Sequence, residues 1–175
     1  RTVEQAKDRF GREVTVVQYP LNEGTGFNTI IDVLKMTAYV FPASGGTPTK
    51  TDIPDSEKAR AAQLHNELIE IIAENDENLM DHYLDKGELT EEEMRTGLTH
   101  SLIKREIVPV FCTSAKNNMG AGRLMTFIDV VIPAPVEMPP VKTLSGVELP
   151  ADPKGKTCAF VFKSTSEQNV GEMSF

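Results

Sequence analysis

Residues 108–120, "VPVFCTSAKNNMG", read as a strand that passes through a small polar turn into a helix. Val108, Val110 and Phe111 supply strand character, Thr113-Ser114-Ala115 ends it, and Gly120 stands where the next helix opens. In open α/β sheets ligands collect at the carboxyl ends of strands, because loop amides and helix N-termini present outward N–H groups there. The turn is therefore a candidate ligand loop. The plain alternative is that any strand-to-helix connection favours Ser, Asn and Gly.

Upstream, "VEQAKDRF" (3–10) predicts a short helix with Val3, Ala6 and Phe10 on one side and Gly11 as its terminator. "VTVVQYP" is a β-branched run stopped by Pro20, and "NEGTG" is a turn. "FNTIIDVLKMTAYVF" (27–41) favours two short strands through its β-branched pairs and the alternation Met36, Ala38, Val40. "PASGGTPTKTDIP", rich in Gly, Pro and Thr, reads as a surface loop. From Asp55 to Ala73 the period becomes helical, with Leu64, Leu68, Ile71 and Ile72 as the buried stripe and Gln63, Glu67, Glu70 and Glu74 opposite. "ENLMDHYL" packs Leu79, Met80, Tyr83 and Leu84 before Gly87 breaks it, and Thr90 and Glu93 have capping-box spacing at the next helix.

Downstream, Leu124, Phe127, Ile128 and Val131 mark an amphipathic helix halted by Pro133. The next two dozen residues have the proline density of a linker, and the end of the chain reads as a strand, a turn and the start of a second strand. The expected fold is α/β with α+β character: a small mixed sheet from strands near 14–19, 27–41 and 107–113, covered by helices at 55–85, 90–104 and 121–132.

The 175 residues suit one domain, or one domain plus part of another. A net charge of −8 argues against direct nucleic-acid binding and favours basic partners. Cys112 and Cys158 fit reduced, buried thiols, and the scattered His65, His82 and His100 make a zinc role improbable. There is no signal-peptide pattern and no apolar run of membrane-spanning length. The start at Arg1 rather than Met suggests a piece of a longer chain.

Catalytic motifs are missing from the sequence. "GGTPTKT" (45–51) has Thr49 where a phosphate loop needs glycine before Lys50, and "GTGFNT" (24–29) lacks the last glycine of a dinucleotide fingerprint. No G-x-S-x-G elbow occurs, and the carboxylates fall on solvated helix faces. The acidic stripe Glu67, Glu70, Glu74 is either such a face or a docking surface for a basic partner.

"DENLMDHYLDKGELTEEEMRTGLTHSLIKREIVPVFCTSAKNNMG" followed by "IDVVIPAPVEMPP" closely resembles bacterial elongation factor G. "VEQAKDRFGREVTVVQYPLNEGTGFNTIIDVLKMTAYVF" looks like the stretch after that family's N-K-x-D motif, and "FVFKSTSEQNVGEMSF" like the opening of its second, β-barrel domain. The resemblance implies a fragment of a ribosome-dependent GTPase that drives translocation in the cytoplasm. Residues 1–132 would end the GTP-binding domain, including an inserted subdomain over about 14–106; 133–155 would be a linker and 156–175 a truncated barrel. Ser114 and Ala115 match the guanine-recognition loop, in which the backbone N–H after the serine reads the guanine carbonyl. Lys116 departs from the family's large apolar residue and resembles the S-A-K of many small GTPases, its stem lying over the base.

The phosphate loop, both switches and N-K-x-D would precede Arg1. GTP, GDP and Mg²⁺ are thus implied for the parent protein, with none expected on this fragment and no catalytic residue in it. The resemblance also implies docking of the ribosomal stalk protein's C-terminal domain on Glu67, Glu70, Glu74 and Asp81. The truncated C-terminal strands would self-associate, meet another molecule or fold against the linker. Two alternatives stand beside this reading. One is a tetracycline-resistance ribosomal protection protein, to which "SAKNN" is also similar; the other is a stand-alone interaction module.

Overall fold

The structure is a computed structural model that describes residues 1–74 and 76–175. It is mixed α and β, and divides into two compact units, Arg1–Pro133 and Ala134–Phe175.

Helix α1 (Thr2–Phe10) buries no side chain and leaves Phe10 exposed; Gly11, at φ 86°, then turns the chain into β1 (Val14–Val16). β1 pairs in parallel with β6 (Val108–Val110), Val14 opposite Val108 and Val16 opposite Val110. At Val17 the chain changes partners. Its N–H donates to the Val110 carbonyl at 3.0 Å, while its own carbonyl accepts from the Val33 N–H at 3.0 Å. β2 (Gln18–Pro20) then enters an antiparallel ladder with β3 (Thr29–Asp32), β4 (Thr37–Val40) and β5 (Thr49–Thr51), in the order β2-β3-β4-β5. The strand expected over 14–19 is therefore two strands that meet at Val17.

β5 lies inside the stretch that composition assigns to a loop. Thr49 and Thr51 are β-branched and suit an exposed edge, and they pair with Val40 and Ala38. All four residues of β3 are buried, because successive side chains face opposite sides and both sides are covered. Ile31 joins a helix-side core with Leu68, Ile72, Leu98 and Phe127, whereas Ile30 joins Tyr39, Phe41 and Met119 on the other face.

Helix α2 (Asp55–Glu74) buries Ala61, Leu68, Ile69, Ile72 and Ala73, so its apolar stripe is turned toward Ile69 and Ala73; Leu64 and Ile71 are half-buried. Helix α3 (Glu77–Lys86) starts on the Asp76 carboxylate, which accepts from the Asn78 and Leu79 N–H groups at 3.0 and 3.3 Å, and ends at left-handed Gly87. Leu79 and Tyr83, four apart, face the core; Leu84 lies one residue farther round and is exposed, contrary to the expectation. Helix α4 (Glu91–Lys104) carries the expected capping box between Thr90 and Glu93. The Thr90 hydrogen bonds hold the pKa of the Glu93 carboxylate down at about 2, and His82 Nδ1 adds a further contact. Met94, Leu98 and Ser101 recur at helical spacing on its buried side. Helix α5 (Ala121–Val131) buries Phe127 and Val131, with Phe127 edge-on to Phe111 at 4.7 Å. Each fully buried Leu, Ile or Phe contributes about 2 kcal/mol through the hydrophobic effect.

In the second unit β7 (Val141–Lys142) and β8 (Glu148–Leu149) form a hairpin within the proline-rich stretch. β9 (Ser164–Glu167) and β10 (Gly171–Ser174) pair antiparallel, and the Phe175 N–H extends the ladder to the Lys163 carbonyl at 2.8 Å. The terminal strands thus take each other as hydrogen-bonding partners. A turn with Asn169 at φ 85° and Gly171 at φ 89° closes this hairpin, a two-stranded sheet in which each strand pairs with the other along one edge. Cys158 is exposed, against the expectation of a buried thiol, because it precedes these strands on a stretch without regular structure. Among the described residues, no helix is long and apolar enough to cross a membrane.

Candidate functional site

The 108–120 segment becomes a closed loop. At the carboxyl end of β6 the Ser114 N–H donates to the Met119 carbonyl at 2.8 Å and the Met119 N–H returns to the Ser114 carbonyl at 3.0 Å. Inside that bridge the Asn118 N–H donates to the Ala115 carbonyl at 3.2 Å, with Asn118 at φ 48°. Asn tolerates this left-handed conformation better than most residues, which explains its place at the end of the tight turn. Met119 anchors the loop by inserting among Ile30, Tyr39 and Phe41. Gly120, at φ 81°, caps α5; a Cβ there would come 2.7 Å from the Cys112 carbonyl oxygen, so glycine lets the two ends of the loop touch.

The arrangement leaves a specific surface. Ala115 and Lys116 are exposed, and among the described residues no hydrogen bond takes up either N–H. A fixed turn with two unpaired amides can read a carbonyl oxygen without using any side chain. Ser114 is half-buried beneath it. The Lys116 stem is exposed along with the rest of its side chain.

A second loop supports the first. Gly45 (φ 73°) and Gly46 (φ 96°) pass against the turn, the Gly46 N–H donating to the Asn118 carbonyl at 3.0 Å. A Cβ on Gly45 would lie 1.7 Å from the Asn117 carbonyl oxygen. These glycines, which resemble half of a phosphate loop in sequence, serve a close backbone approach to residues 117–118. Sequence reasoning missed this pairing; the adjacent glycines were the signal, and the partner loop some seventy residues away was not legible.

The acidic residues lie elsewhere. Glu67, Glu70 and Glu74 share one face of α2, with Glu70 and Glu74 exposed and Glu67 half-buried, accepting from Gln63 Nε2 at 2.9 Å. Glu74 and Asp81 come together with Glu77 around a shallow depression that also includes Ala73 and Met80, so Glu77 is an addition to the predicted set. The pKa of the Cys112 thiol is pushed up to about 12, first by burial, and the thiol is not poised as a nucleophile. Among the described residues, no group of three or more His, Cys, Asp or Glu converges as a metal site.

No family model matches the chain. The crystal structure of ttk003000868 from Thermus thermophilus superposes on it with a TM-score of 0.68 at 24% identity, over 98% of this chain and 24% of that one. The chain thus spans about a quarter of the length of the protein it matches. At this identity the likeness establishes a shared fold.

Proposed function

We propose that this chain is part of a ribosome-dependent translational GTPase and contributes its guanine-reading turn. The observation that carries the reading is the Ser114–Met119 bridge, which fixes a turn at the carboxyl end of a strand where the exposed Ala115 and Lys116 have N–H groups that no hydrogen bond takes up among the described residues. Fixed donors of this kind cost little reorganisation when a base carbonyl arrives. The residues present fit the base end of GTP or GDP. The sequence has no phosphate-loop motif, and among the described residues no cluster suits Mg²⁺, so neither phosphate chemistry nor metal binding is assigned to them. In the cytoplasm the parent protein would hydrolyse GTP on the ribosome during translocation, and this segment alone would not.

Two measurements test this. Calorimetric titration of the 175-residue chain with GDP is expected to give no micromolar binding. In the parent protein Ala115→Pro, which deletes the N–H, is expected to weaken GDP by about tenfold or more, while Lys116→Ala, which keeps its N–H, weakens it far less. Equal affinity of the Pro variant and the wild type would remove the turn from guanine recognition.

A second, compatible reading is that the acidic face docks a basic partner, the C-terminal domain of the ribosomal stalk protein. One observation favours it over a merely solvated face. Glu74 lies in the last turn of α2, with Glu70 one turn before it, and no basic residue balances the negative end of the helix dipole there. Carboxylates at that end cost a few tenths to about 1 kcal/mol each. Reversing Glu67, Glu70 and Glu74 to Lys should cut stalk binding in a pull-down by about tenfold or more while leaving the melting temperature unchanged or higher. Undiminished binding would return the stripe to a solvated exterior.

A further inference from the structure

A cleft in the first unit lies between the β2–β3 corner and helices α4 and α5, is lined by no residue of the 114–119 loop, and has a volume of about 410 Å³. That is within the size range of small-molecule sites. We propose that it binds a small organic anion with an aromatic body and a hydrogen-bond donor.

Three independent features specify that ligand. The first is the apolar lining, where Met94, Phe127 and Val131 are buried core residues and Phe111 adds a half-buried ring. A flat, apolar body suits such a surface. The second is charge. Lys35, Lys50, Arg95 and Arg123 line the cleft against two carboxylates, Asp32 and Glu91, in a chain whose net charge is −8. Lys35 is held by Glu91 at 3.0 Å, and Arg123 sits over the Tyr39 ring at 5.0 Å. Lys50 makes no ion pair among the described residues, which leaves its ammonium for the ligand's anionic group.

The third feature is an unused acceptor. Gln18 and Asp32 stand opposite each other on β2 and β3, 3% and 6% exposed, and Gln18 Nε2 donates to Asp32 Oδ2 at 2.8 Å. The Asp32 carboxylate also accepts from the Lys35 N–H at 3.0 Å, although burial outweighs these bonds and raises its pKa. Gln18 Oε1, by contrast, is buried at the cleft wall with no partner among the described residues. A buried acceptor without a donor loses its hydration uncompensated, by about 1–3 kcal/mol. That oxygen has no surface open to the cleft, so a ligand N–H or O–H restores the bond only by shifting the Gln18 side chain.

8-Anilino-1-naphthalenesulfonate has the required chemistry: fused rings, one sulfonate and one N–H. Fluorescence titration of the whole chain is expected to show saturable one-site binding that weakens as salt is added. N-phenyl-1-naphthylamine, the neutral counterpart, should bind about tenfold more weakly. Thr126→Trp places a bulky ring at the mouth from an exposed position and should weaken binding by about tenfold or more; Lys50→Glu, also exposed, by about three- to tenfold. Phe160→Ser with Phe162→Ser removes exposed rings from the other unit and should leave binding unchanged. No saturable binding, an unaffected Thr126→Trp variant, or loss of binding in the Phe160/Phe162 variant would each overturn the proposal. The amide shifts of residues 17–18 and 32–36 on titration give a second readout. Shifts there with the sulfonate support the cleft, and their absence places the dye elsewhere. The test stands apart from guanine recognition, since none of these residues belongs to the 114–119 loop.

Discussion

Gly97→Val is expected to destabilise the first unit by about 3 kcal/mol or more, a large share of a typical domain's total stability. Gly97 sits on the buried side of α4 where that helix packs on α2, with the Leu79 side chain of α3 alongside. A Cβ at this position would come 2.2 Å from Ile72 Cγ2 and 2.7 Å from Leu79 Cδ1. Leu79 can swing its terminal methyl away. Ile72 cannot, because it is fully buried and its branch lies one bond from the backbone-attached carbon. Replacing glycine within a helix ordinarily gains up to about 1 kcal/mol, so the sign depends on whether packing strain exceeds propensity, and here it does. A double-mutant cycle makes the cause specific. Ile72→Ala alone should cost about 2–5 kcal/mol, but Gly97→Ala combined with it should cost clearly less than the sum, since the added methyl enters the space that Ile72 vacates. Strict additivity in urea unfolding would show that the close approach of α4 to Ile72 is not what selects glycine.

Gly45→Ala should be the most damaging small change near the 114–119 turn. A left-handed alanine costs about 1–2 kcal/mol before any contact is considered. Its Cβ would then overlap the Asn117 carbonyl oxygen, a backbone atom that moves only if the whole turn moves. The expected outcome is a loss of about 2 kcal/mol or more, accompanied by shifted amide resonances at residues 115–118 and faster hydrogen exchange at Ser114 and Met119, whose N–H groups close the loop. Gly24→Ala is the control. It shares a positive φ, 82°, but has nothing within 4 Å of its added carbon, so it should carry the conformational cost without disturbing the turn. If the resonances at 115–118 do not move in the Gly45 variant, the two glycines do not support the site.

Much of the helical structure can be read along the chain because its causes are local. The Thr90–Glu93 capping box, the Gly87 stop and the i, i+4 pairs Met94–Leu98 and Phe127–Val131 each act within one or two turns. Strand readings fail where pairing decides. Nothing in "VTVVQYP" marks Val17 as the residue that serves two ladders, because the choice lies with Val110 and Val33, far along the chain. β5 was concealed by threonines that suit a loop by composition and an edge strand by shape. Leu84 failed by a single step of about 100° around a helix.

The site divides along the same line. Small residues at 113–115 and Gly120 announce a turn at a strand end, and this was legible in the 108–120 stretch alone. The polar partners in the cleft were not: Asp32, a lone carboxylate in an apolar strand, was the visible signal, and only the antiparallel register of β2 and β3 sets Gln18 beside it. Sequence by itself determined where this chain bends, caps and hides its apolar faces, since those choices depend on neighbours within a few residues. Tertiary structure decided which distant backbone meets which, and so placed Gly45 under Asn117 and a cationic cleft in an acidic protein. Contacts between segments remote in sequence are fixed by the packing of the whole unit, and no short stretch contains that information.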